Sequence, residues 1–452
     1  MVDQVYRYLE PSTLTADNGA ADLRLATSGG HIGAERSAHP HFFEGLLAHS
    51  DQVAAALLVV ARVARTRFYV PPGMLAAVLR RADPVVTSDG QRLRFESLSA
   101  DAGVHVRLDL LPESLRVPPS APGTTNVDVN VPLRQALARV GRDTALHLAV
   151  GTELTVRTDE ATVTEEKVPL PDRWLKGFAE VQVAGAAMRP VLRADAVEAR
   201  RFVRALPAAT GGRSAPLWAV SGLRGLRVTA APGRDAVSIA GPQRLRVLEP
   251  LLRFATGLRA YAAAEADPGR PAPSTWELQL ADARLVVTLS PEVSRGFSGE
   301  GGVLLDLADP ASAADAELVG ALLKFEPRID VLRLAASAGL PPERVLRALT
   351  RLGAAGRVGF DLHDGAFFHR ELPFSSGVLD AMHPRLVTAR GLVADGAVTA
   401  TDHGFAVRDG EREHVVRAET GGHRCTCPWY ARHRDDRGPC AHVLAVVMVS
   451  RG

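Results

Sequence analysis

Two short pairs of residues near the end of the chain carry its most legible chemistry: Cys425-Thr426-Cys427, twelve intervening residues, then Cys440-Ala441-His442. All three cysteines of the protein lie in this stretch. Thiolates and neutral imidazole are preferred zinc ligands, and four of them fill a tetrahedral shell and leave no position for water, so the spacing points to one structural Zn2+ and not to a catalytic one. His423 and His433 lie nearby but outside the paired spacing. An odd number of cysteines clustered beside a histidine fits metal binding in a reducing compartment better than a disulfide framework, and places the protein in the cytoplasm.

The elements that position these ligands follow from local pattern. In Cys-x-Cys both thiols fall on one side of an extended strand, and Pro428 then turns the chain away. Asp435 to Pro439 reads as a turn, and the apolar run Val443 to Val449 reads as a helix with Cys440 and His442 in its first turn, where the dipole favours thiolate. Upstream, Gly404 to Val407 and His414 to Ala418 flank the turn Arg408-Asp409-Gly410, a hairpin pattern. Residues 384–452 are thus expected to form a small β-rich zinc module closed by a helix, with metal supplying much of its folding free energy.

Between 309 and 373 the periodicity predicts helices over Asp315 to Phe325, Ile329 to Ser337 and Glu343 to Leu352, then a hairpin from Val358 to Leu362 and Ala366 to His369. This order resembles a winged helix. Arg344, Arg347 and Arg351 share the face opposite the apolar stripe of the third helix, where a DNA reader would put its contacts.

Residues 1–308 read as a large mixed α/β region of one or two subdomains, with the Gly/Pro-rich Asp267 to Ser274 as a loop or a subdomain boundary. A buried helix is expected over Val53 to Val63, capped by Asp51, and half-buried strands over Arg92 to Glu96 and Val104 to Leu110. Further strands are expected at Thr125 to Val131, Ala145 to Val150, Leu154 to Thr158 and Val163 to Val168, a helix over Pro242 to Tyr261, and a hairpin over Trp276 to Leu289. The protein is therefore expected to be multi-domain α+β. His39, His41 and Glu44 lie close together but lack a helical ligand pair and read as a packed loop. Asp128 and Asn130 read as polar strand residues that line a pocket or face solvent. The glycine-dense Ser298 to Gly302 lacks the lysine of a phosphate loop.

Hydrophobic residues make up 46% of the 452 residues and charged residues 23%, which excludes a disordered or fibrous chain. The net charge of +2 excludes a chain-wide surface for nucleic acid or acidic lipid. No stretch reaches the ~20 apolar residues of a membrane span, and no catalytic set stands out, so no enzymatic activity is expected.

At Cys425, Cys427, Cys440 and His442 the sequence resembles the SWIM zinc finger, whose Cys-x-Cys, gap, Cys-x-His signature it matches fully. The chain also resembles bacterial SWIM zinc finger family proteins of the actinobacterial type through Leu25-Ala26-Thr27-Ser28-Gly29-Gly30, Gly123-Thr124-Thr125-Asn126-Val127-Asp128, Arg173-Trp174-Leu175-Lys176-Gly177-Phe178 and Arg295-Gly296-Phe297-Ser298-Gly299-Glu300. The resemblance implies zinc binding and contact with DNA or other proteins, and beyond that an adaptor working beside a MoxR-type AAA+ ATPase and a von Willebrand A domain protein. The competing expectation is a DNA-binding regulator that uses Arg344, Arg347 and Arg351 together with Arg424, Arg432, Arg434 and Arg437. From Pro384 to the end, ten arginines face eight acidic residues, too balanced for a strong phosphate surface, which favours the adaptor.

Overall fold

A computed structural model describes residues 5–8, 10–17, 19–69, 83–151, 167–169, 172–207, 217–263, 270–297, 303–372, 383–419, 422–434 and 437–450. Helices and strands are mixed throughout, in several separate sheets, as an α+β chain requires. The expected strand Leu154 to Thr158, most of Val163 to Val168 and the Ser298 to Gly302 loop lie outside the described residues. Among the described residues no helix is long and apolar enough to cross a membrane.

The chain divides into two compact units. The first comprises Met1–Trp174, Ala187–Gly296 and Arg370–Pro373; the second comprises Leu175–Ala186, Phe297–His369 and Phe374–Gly452. The second unit thus includes Leu175–Ala186, a stretch that the sequence pattern leaves within 1–308.

The first unit is built on a ten-stranded sheet whose central neighbours are Ser274–Gln279, Ala283–Leu289, Val104–Leu110, Leu93–Leu98 and Val85–Ser88. Its apolar face carries Phe95, Val106, Leu108, Leu285, Val287 and Trp276 into the main core, against the helix Ser50–Arg65. The strands expected to be half-buried are buried on both faces. Their polar face holds matched charges: Arg94 lies opposite Asp109 and Glu96 opposite Arg107 in the strand register. Asp109 also receives Arg107 at 2.9 Å and Arg284 at 3.5 Å, and Glu96 receives Arg370 at 2.6 Å. Buried charge persists where each ion is paired, which explains how an alternating pattern supports a two-sided interior.

Three local expectations are corrected here. Asp51 sits inside the first turn of its helix and the cap is His49 in the left-handed region. The Pro242 to Tyr261 helix is a 3₁₀ segment, Pro242–Leu251, followed by the strand Gly257–Ala263; Pro250 removes a backbone donor and Gly257 opens the strand. The expected strand at Thr125 to Val131 stops at Val127, because Asn130 caps a helix, Val131–Leu137, by accepting the Leu133 N–H. Asp128 and Asn130 are spent on that corner, where Asn130 Nδ2 donates to Asp128 Oδ2 at 2.8 Å.

In the second unit three helices, Pro310–Leu322, Val331–Ala338 and Pro342–Ala354, precede the hairpin Val358–Asp361 and Ala366–His369. Asp309 and Asp330 cap the first two through their carboxylates, as short acceptor side chains do at helix starts. Val345, Ala348, Leu349 and Leu352 bury one face of the third against Val319 and Val358. A helix, Pro384–Ala394, then leads into a four-stranded antiparallel sheet, Val398–Thr401, Gly404–Asp409, Arg412–Glu419 and Gly422–Cys425. Two more helices, Pro428–His433 and Ala441–Ser450, follow the sheet.

Candidate metal centre

Cys425 ends the last strand of the four-stranded sheet and pairs with Val416. The Cys-x-Cys spacing predicts Cys427 on the same strand; the strand instead ends at Cys425. Pro428 occupies the first helical position, where a missing N–H costs nothing, so the chain turns into Pro428–His433 and Cys427 becomes its cap, its sulfur accepting the Tyr430 N–H at 3.4 Å. Cys440 immediately precedes the helix Ala441–Ser450, and His442 lies in its first turn. One sheet end and two helix starts therefore converge, and each helix start favours a negatively charged sulfur.

The four side chains are buried, and their ligand atoms all lie within 4.8 Å of one another. A tetrahedral zinc site with metal–sulfur bonds near 2.3 Å separates its ligand atoms by about 3.5–3.8 Å; Cys425 Sγ stands 3.8 Å from His442 Nδ1. The residues are arranged to bind one zinc ion.

The electrostatics of the donor set fit a dication. The Cys425 and Cys440 thiols hydrogen-bond to Cys427 and hold it below the ordinary thiol range, while Cys425 and Cys427 in turn push Cys440 above it. The raised Cys440 thiol resists ionisation beside its neighbours; a divalent metal removes that conflict. Burial works against the His442 cation, but the Cys425 and Cys427 sulfurs and the Asp409 carboxylate outweigh it, and the imidazole is pushed up to about 10.

Two residues that sequence spacing did not single out support the ligands. Arg385, on the helix Pro384–Ala394, donates from Nη1 to the carbonyls of Arg437 and Pro439 at 2.9 and 2.7 Å, and stacks over Trp429 at 4.4 Å. It braces the loop that delivers Cys440. Asp409, at the end of Gly404–Asp409, places Oδ2 3.2 Å from His442 Nε2. Only its position in a predicted hairpin turn hinted at it.

The arginines expected to contact a partner fall into two groups. Arg344 is bound to Asp315 by two hydrogen bonds, at 2.8 and 2.5 Å, and Arg351 donates to the Leu307 carbonyl at 2.9 Å, so these two join helices within the unit, and the Arg344 side chain stays 43% exposed. The third helix packs against Pro310–Leu322, and that neighbour supplies the partner Asp315. Arg347, Arg424, Arg432 and Arg434 are exposed, with Arg424 3.6 Å from Glu419, and Arg437 faces the Trp429 ring at 5.7 Å. At the other end of the chain, His39 Nδ1 bonds the Thr27 carbonyl oxygen at 3.0 Å, and among the described residues His39, His41 and Glu44 form no metal-type cluster.

No curated protein matches the chain. Among solved structures, the proliferating cellular nuclear antigen of Entamoeba histolytica covers 55% of this chain and 98% of its own at 11% identity, with a TM-score of 0.33. The A. fulgidus PCNA structure with the C-terminal region of FEN-1 gives the same coverage at 13% identity and a TM-score of 0.31. Neither likeness is close enough to assign a fold. The family model described as SWIM zinc finger matches residues 414–449, a stretch that contains all four zinc ligands.

Proposed function

We propose that this protein is a cytoplasmic, zinc-dependent adaptor that joins protein partners and catalyses no reaction itself. Its contact modules in this reading are the zinc finger and the 309–373 segment, whose three helices and hairpin we take as a winged helix. The observation that carries the proposal is the commitment of Arg344 and Arg351 to Asp315 and the Leu307 carbonyl. Donors held in that way are less available to phosphates, which leaves Arg347 as the most exposed arginine of the three. Through the bacterial resemblance, the partners to test first are a MoxR-type AAA+ ATPase and a von Willebrand A domain protein.

The exposed Arg347, Arg424, Arg432 and Arg434 favour the second reading, a DNA-binding regulator. Affinity capture of the intact protein with and without a zinc chelator separates the two. The adaptor reading expects an AAA+ ATPase of that type to be enriched only when zinc is present. A duplex-DNA gel shift that weakens with salt and disappears in Arg347→Glu and Arg432→Glu, with no such ATPase enriched, supports the regulator instead.

A further inference from the structure

His442 turns Nδ1 toward the cysteines, 3.8 Å from Cys425 Sγ, and Nε2 toward Asp409 Oδ2 at 3.2 Å. A neutral imidazole has one lone-pair nitrogen, and the hydrogen bond made by the other decides which one that is. We propose that Asp409 is a positioning residue of the zinc centre: it accepts the Nε2 hydrogen of His442 and so presents Nδ1 as the ligand atom. The hairpin that carries Asp409 then belongs to the metal site, although Asp409 lies upstream of the 414–449 stretch matched by the family model.

The backbone places Asp409 firmly. It pairs with Arg412 across a two-residue turn, Gly410-Glu411, in which Gly410 has φ 61°. A glycine there takes the left-handed conformation without strain. The His414 ring lies 4.4 Å from the His442 ring and limits its rotation. Asp409, His414 and His442 also bring their ligand atoms within 4.8 Å of one another. A second ion there would need both nitrogens of His442 as ligands, whereas the Asp409 bond keeps a hydrogen on Nε2. Because the Asp409 side chain is 51% exposed, solvent screens its charge, and orientation of the ring is its main contribution.

The inference depends on the zinc centre and not on which partner the protein contacts. The test uses the intact protein, with zinc affinity measured by competition against a chromophoric chelator and the ligating nitrogen read from ¹⁵N-histidine NMR of the zinc-loaded form. Asp409→Ala is expected to weaken zinc binding by roughly 10–100-fold. Asp409→Asn, whose amide oxygen still accepts the Nε2 hydrogen, is expected to retain most of the affinity, and Glu411→Ala all of it. The wild-type spectrum is expected to show metal on Nδ1 and hydrogen on Nε2 of His442. An Asp409→Ala affinity within about twofold of wild type, equal losses in the Ala and Asn variants, or metal on Nε2 overturns the proposal; equal losses would mark a hairpin that is merely loosened.

Discussion

Each zinc ligand contributes through its protonation as much as through its place. Buried together, Cys425, Cys427, Cys440 and His442 form a set that a dication satisfies and a proton cannot. Removing one of them leaves three ligands and an open position, so His442→Ala or Cys440→Ser is expected to lower zinc affinity by more than the roughly 10–100-fold that a lost outer partner costs. Metal analysis of the purified variants checks this; full stoichiometry in His442→Ala after dialysis against a mild chelator would count against the assignment and turn attention to His423 and His433. The ligands were legible in the sequence because the chemistry is local: two pairs, each one residue apart, on a short stretch. Asp409 was not, since it meets His442 from 33 residues away and only the sheet brings them together.

At the scale of elements, the site depends on how its loops are held. Arg385 bonds the carbonyls just before Cys440 and stacks on Trp429, a planar, multiply bonded use of guanidinium that lysine does not reproduce. Arg385→Ala is expected to destabilise the zinc-loaded second unit by about 1–3 kcal/mol, and Arg385→Lys to recover little of it, both measured by hydrogen exchange of the helix Ala441–Ser450 in increasing denaturant. Wild-type protection in Arg385→Ala would remove the brace from the account. The second and third helices before the hairpin were visible in their apolar periodicity, Val345, Leu349 and Leu352 above all, whereas the first, expected over Asp315 to Phe325, spans Pro310–Leu322 because Asp309 caps it earlier. The helix Pro428–His433 was not, because six residues that start with proline carry no period. The Pro242 to Tyr261 region misled for the opposite reason: its leucines recur as in a helix, yet Pro250 and the strand that begins at Gly257 divide it.

Across the whole molecule, the first unit buries paired charges and the second buries the zinc ligands, each beside an apolar core. In the first, alternating residues on Leu93–Leu98 and Val104–Leu110 showed that the two sheet faces differ, but not that both are dry; that depends on ion partners distant in sequence, such as Arg370 for Glu96. Burial alone would raise Glu96, but Arg370, then His105 and Arg107, more than offset it and hold the carboxyl well below its usual range. Burial lowers His105, and Arg107 and Arg370 add to that against the pull of Glu96. Both groups bind protons more readily when unfolded. The His105 contribution is complete above its ordinary 6.5 and lost below it, and that of Glu96 is complete above 4.5 and lost as pH falls toward its depressed native value. Thermal unfolding of the first unit is therefore expected to occur at progressively lower temperature as the medium is acidified below pH 6.5, and Glu96→Gln, which removes the carboxylate facing Arg370, to cost about 3–5 kcal/mol. A melting temperature independent of pH over that range would contradict the paired interior. In the second unit the zinc ligands lie within the 398–450 module, whose folding is expected to depend on the metal, and hydrogen exchange of the intact protein with and without a chelator tests this central claim most directly. Loss of protection is expected across the sheet from Val398–Thr401 to Gly422–Cys425 and the helix Ala441–Ser450, with Val104–Leu110 and Ala283–Leu289 unchanged. Unaltered protection around the cysteines, or collapse of the whole chain on chelation, would contradict it.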